Sequence, residues 1–220
     1  MNSPRLLLLG FVLFSALLAK DIKPGVERWS IKTSVPAGTD MAHGKTVPFA
    51  DLIALPDPVP HPKMNDHLYA HDRYPAFANK LGVKEGDILT VRGWLHIVAR
   101  ENDGDYHFQI SASKESGDDC LIVEVPIDDP AFVRSAELRK AVADVRAFLK
   151  KNALNGKKPS EGSTIVKKPI LVDVTGQLFY DDAHVTHPGG PRRGKHGQKA
   201  ATLWELHPVT AIRLAESRAD

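Results

Sequence analysis

The sequence predicts an all-β fold with one helix: a five-stranded OB-like Greek-key barrel in the order β-β-β-α-β-β, preceded by an irregular N-terminal arm. Three observations predict it. Gly93–Pro126 reads as a meander with turns at Glu101–Asp105 and Ser113–Asp118. A helical stripe follows, and then two more strand-like runs. Gly93 and Gly176 fall mid-strand, where a coiling strand bends sharply. An SH3-like barrel would lack the helix; an open α+β sheet is the other arrangement with this order.

The first strand is the apolar, β-branched run Ile88–Arg100 behind the turn signal Gly86-Asp87. In the strand Tyr106–Ser113, Tyr106, Phe108 and Ile110 alternate with Asp105, His107 and Gln109, the period of a half-buried strand. Cys120–Pro126 is the third strand, with Leu121, Val123 and Val125 on one face and Cys120, Ile122 and Glu124 on the other. Asp129 is the expected helix cap, with Pro130 in the first turn. Over Ala136–Lys151, Leu138, Val142, Val145 and Leu149 form an apolar helical stripe that Asn155-Gly156 ends. Pro169–Asp181 and Ala201–Leu214 are strands four and five, joined by a long loop.

Ahead of the barrel, Lys20–Asn79 is weakly periodic and proline-punctuated at 55–62, with one short helix expected in Thr46–Leu55. The expected organisation is a signal segment over 1–19, an arm over 20–79 and the OB-like domain over 80–216. Arg5, the apolar Leu6–Ala16 and a small residue at Ala19 have the form of a secretory signal. Export to the periplasm or the extracellular space is therefore expected, with no membrane span in the mature chain. The single Cys120 allows no intrachain disulfide.

Composition narrows function mainly by exclusion. A net charge of +2, falling to +1 without Arg5 and the rest of residues 1–19, does not coat a protein for duplex DNA. An aromatic share of 7% leaves little for long base-stacking surfaces.

Five segments together resemble a family of small, exported, OB-fold-like bacterial proteins. They are Gly93-Trp94-Leu95-His96, the hairpin Asp103-Gly104-Asp105-Tyr106-His107, the strand Leu121–Pro126, the strand Val174–Asp181 and the closing run Trp204–Val209. The resemblance covers about residues 88–214. It implies the fold and an exported location, and it brings no established activity or catalytic residues.

Four groups of residues could carry chemistry. The second turn centres between Glu115 and Ser116, which sets His107 opposite Glu124. In an OB barrel the fifth strand lies beside the third, so Glu205 and His207 should join them on the barrel exterior. Two imidazoles and two carboxylates suit a zinc-like divalent ion. The plainer reading is a cross-strand polar network, and no H-E-x-x-H or C-x-x-C motif raises the metal case. The loop 184–199 holds His184, Arg192, Arg193, Lys195 and Lys199 without an acid. With Tyr180 beside it, that loop is the expected grip for an anionic ligand, a partner protein, glycan or oligonucleotide. Tyr180 and Trp94 are the open cases among the strand aromatics. Asp103, Asp105, Asp181 and Asp182 fit neither EF-hand nor nuclease spacing and read as turn formers. The leading expectation is a non-enzymatic binding module for an anionic polymer or an envelope protein. The alternative is a metal-dependent hydrolase using the His/Glu cluster.

Overall fold

The computed structural model describes residues 28–58, 71–181 and 193–216. The strands are β1 (Lys45–Val47), β2 (Ile88–Arg100), β3 (Tyr106–Ser111), β4 (Leu121–Val125), β5 (Thr164–Tyr180) and β6 (Trp204–Leu214). The helices are α1 (Trp29–Lys32), α2 (Phe49–Ile53) and α3 (Ala136–Asn152). The sheet order β1-β2-β3-β4-β6-β5, with β2 also paired to β5, closes β2 to β6 into a five-stranded barrel. Strand β4 runs parallel to β6, and the other pairs within the barrel are antiparallel. The expected all-β, OB-like barrel with one main helix is thus the fold. No helix among the described residues is long and apolar enough to cross a membrane.

Alternation decides what fills the barrel. Tyr106, Phe108 and Ile110 of β3 and Leu121, Val123 and Val125 of β4 belong to one core cluster. In β2 the inward set is Leu89, Val91 and Leu95, and then Val98. The parity changes because the ladder slips between Leu95 and Ile97, a bulge that also bends the strand. His96, at the slip, turns its Nε2 to Ser113 O at 2.9 Å.

Strand β5 begins five residues before the expected Pro169, at Thr164. Opposite the same slip, Ile165 and Ile170 are the nearest paired residues, so 166–169 form an excursion from the ladder. Pro169 is tolerated there because no ladder N–H is required of it. At Gly176 the neighbouring strand comes very close: a Cβ would lie 2.9 Å from Pro208 O and 3.0 Å from Val209 Cα.

Helix α3 buries Leu138, Val142, Val145 and Leu149, the expected stripe, against β6 and β4. Its cap is Ser135, whose Oγ accepts from Leu138 N at 3.2 Å, and not Asp129. Asp129 instead forms a separate turn, accepting from Ala131 N at 2.7 Å.

The stretch ahead of the barrel packs on it. Strand β1 adds in parallel to β2, and α2 sends Leu52 into the core. Phe77 stacks on Trp204 at 5.1 Å, and Trp204 Nε1 donates to Pro56 O at 2.9 Å. Arg28 is held most firmly. Its guanidinium donates to both oxygens of Glu85 at 2.6 Å and to the carbonyls of Asp72 and Tyr180. Tyr74 and Phe179 lie over it at 5.0 and 4.9 Å.

Candidate functional site

The core-facing pattern of β3 and β4 leaves His107, Gln109 and Glu124 on the outer face, with His107 directly opposite Glu124. The parallel pair Val123–Leu206 brings β6 alongside, so Glu205 and His207 share that face. The β2–β3 hairpin adds Glu101 and Asp105, and the end of β5 adds Asp181. The four residues expected to meet do meet. They do not lie on an open exterior, however: Glu124 is 4% exposed, His107 and Glu205 1%, and His207 fully buried. Residues 193–200 cover them. Lys195 N donates to Gln109 Oε1 at 2.8 Å, Cys120 N to Lys199 O at 3.0 Å and Ala201 N to Cys120 O at 2.9 Å. Cys120, Ile122 and Ala200 form a small apolar patch beneath the same segment.

Arg193 plugs the cluster from that loop. It donates to Asp181 Oδ2 and Glu124 Oε1 at 2.5 Å and to Glu205 Oε2 at 2.7 Å. Lys195 Nζ sits 2.8 Å from Glu101 Oε1 at the rim. His107 Nδ1 lies 2.9 Å from Glu124 Oε1 and 3.6 Å from Glu101 Oε1. His207 Nδ1 stands 3.4 Å from both Glu124 Oε2 and Glu205 Oε1, and its Nε2 3.5 Å from Asp105 Oδ2. The other oxygen of Asp105 is committed to Ile127 N at 3.0 Å.

The electrostatics follow from dense charge in a dry place. Burial opposes ionisation of Glu124, but Arg193, His107 and His207 outweigh it and hold the carboxyl well below its usual range. Burial and the charge of Glu124 push Glu205 upward. Burial disfavours the charged form of His207, yet Asp105, Glu205 and Glu124 lift it to about 10. Arg193 is held charged by Glu124, Glu205 and Asp181 against the cost of its burial. Asp103, next to the cluster, is raised to about 6 by burial and by Asp105.

Two triads here bring donor atoms within 4.8 Å of one another: Glu101, His107 and Glu124, and Asp105, Glu124 and His207. These buried His, Glu and Asp groups could hold a metal ion. Glu205 stands beside them and belongs to neither triad.

The expected anion grip is distributed differently. Arg193 and Lys195 are ion-paired within the protein. Tyr180 is fully buried, its ring 5.4 Å from Tyr74 and 4.9 Å from Trp204, so it offers no face to a ligand. Lys199 is tied through its backbone N–H to Asp118 Oδ1 at 2.7 Å. His184 and Arg192 lie outside the described residues, as do the signal-like residues 1–19. Trp94 is half-buried, with Lys114 Nζ 5.3 Å from its ring centre.

Asp105, Asp181, Glu101 and Gln109 were missed as cluster members. Alternation outward from Tyr106 was a sufficient signal for Asp105, but the hairpin role of an Asp beside Gly competed with it. No family model matches the chain, and no curated protein matches it. The site is therefore read from its own chemistry.

Proposed function

We propose that this chain is a divalent-cation-binding OB-barrel protein, with the cation held on the outer face of β3, β4 and β6 beneath residues 193–200. One observation carries the reading. Asp105, Glu124 and His207, all buried, bring ligand atoms within 4.8 Å of one another, and Asp105 Oδ2 and His207 Nε2 make no hydrogen bond. A divalent ion there would neutralise buried carboxylates and use the imidazole as a ligand. Nitrogen and oxygen donors without thiolate suit zinc, manganese or iron rather than a soft-metal site.

The same set of groups would serve storage, a structural role or metal-assisted hydrolysis. The signal-like residues 1–19 support a place outside the cytoplasm. An anion grip by the 184–199 loop has less support, because two of its basic residues already have internal partners.

The test is a thermal-shift series on chelator-treated protein with Zn²⁺, Mn²⁺ and Ca²⁺. An ion present at a hundred times its Kd adds about 2.7 kcal/mol, which for a chain of this size is a rise of roughly 5–10 °C. The gain should vanish in Glu124→Gln. No shift with any of the three ions, in protein that retains its native circular dichroism, would sink the proposal.

A further inference from the structure

The cluster has two halves joined by one carboxylate. Glu124 points Oε1 at His107 and Oε2 at His207. That is the posture of a bridging carboxylate, with one imidazole on each side. On the first side the tautomer of His107 is set from behind. Gln109 Nε2 donates to Cys120 Sγ at 3.2 Å and Lys195 N donates to Gln109 Oε1, so the amide oxygen faces His107. His107 Nε2–H therefore donates to it, at 3.1 Å. Nδ1 then faces Glu124 Oε1 and Glu101 Oε1, holding either a proton given to Glu124 or a metal ion that the three atoms share. Metal-bound histidines characteristically carry such an outer hydrogen bond. The spacings of 2.9 and 3.6 Å bracket the edge, about 3.4 Å, of a tetrahedron with bonds of about 2.1 Å.

On the second side, Asp105 Oδ2 and His207 Nε2 are buried and neither makes a hydrogen bond. They face each other at 3.5 Å, an ion-pair distance longer than a charge-assisted hydrogen bond. An ion between them would use His207 Nε2, and Glu124, whose Oε2 now contacts Nδ1 at 3.4 Å, would turn to reach it from within the 4.8 Å span of the triad. Resting on the cation-binding reading above, we propose that the site is dinuclear. One ion takes Asp105, Glu124 and His207, the other takes Glu101, His107 and Glu124, and Glu124 bridges them.

The ion on the Glu101 side must displace Arg193 from Glu124 Oε1 and Lys195 from Glu101. Filling that side thus frees the 193–199 segment from two of its anchors.

Cobalt(II) or manganese(II) is titrated into chelator-treated full-length protein, and bound metal is counted by elemental analysis after desalting. Two equivalents are expected, with exchange coupling in the electron paramagnetic resonance of the manganese form. His107→Gln and Asp105→Asn should each hold one equivalent and lose the coupling. Wild-type protein that saturates at one uncoupled equivalent overturns the dinuclear arrangement and leaves the cation-binding reading standing. No bound metal overturns both. The wild-type count decides the matter even if a variant fails to fold.

Discussion

Tyr74 shows how one buried hydroxyl ties the fold to pH. Burial, helped by the charge of Glu85 and opposed by Arg28, raises its phenol to about 12 from an ordinary value of 10. The folded state therefore favours the neutral phenol. The stabilisation is fully present below pH 10 and is lost as pH climbs through 12. Tyr180, buried beside it, is shifted in the same direction by burial and by Asp57. Denaturant midpoints measured from pH 9 to 12 should fall along a steep limb, and Tyr74→Phe should make that limb shallower. An identical slope in the variant would mean that the phenol does not sense the fold. At this scale the outward placement of His107 and Glu124 could be read from alternation alone. The partners of Arg193 could not: Glu124 lies 69 positions away in the chain, and no local rule links them.

Strands β5 and β6 depend on one missing side chain. A Cβ at Gly176 would strike backbone atoms of Pro208 and Val209, which cannot swing aside as a flexible side chain would. Gly176→Ala is expected to cost about 1–3 kcal/mol, the usual range for overpacking a tight interior. Urea unfolding measures it, and a loss below ~0.5 kcal/mol would show that the strands relax apart freely. The sequence placed this glycine mid-strand correctly but could not name what it approaches. Element ends were less legible for a related reason. Both Asp129 and Ser135 have capping side chains, and which of them caps α3 depends on how the chain leaves β4. The early start of β5 was hidden by Pro169, which reads as a strand boundary until the excursion at 166–169 is known.

On the scale of the molecule, residues 28–58 and 71–79 are tied into the barrel through Arg28. Its guanidinium joins Glu85, the carbonyls of Asp72 and Tyr180, and two aromatic rings in one buried junction. Glu85 in turn accepts the backbone N–H groups of Tyr74 and Tyr180 at 2.6 and 2.9 Å. Removing one partner of a buried pair strands the other, so Arg28→Ala should cost about 3–5 kcal/mol. The loss should appear as a lowered midpoint of a single cooperative transition. Separate early release of Trp204 fluorescence, with the barrel transition unmoved, would show instead that the segment is only loosely coupled.

By itself the sequence determined the strand order, the barrel, the helix stripe and which side chains face outward from β3 and β4. Periodicity is a local property, and hydrophobic residues at period two or near 3.6 leave little choice of buried face. Tertiary structure alone decided that this outward face is buried. A loop from beyond β5 folds back over it, Arg193 enters among the carboxylates, and Asp105 and Asp181 arrive from different strand ends. Those contacts join positions far apart in the chain, and their energy comes from desolvated charges meeting at close range. Local pattern does not encode that meeting; the closure of the barrel creates it.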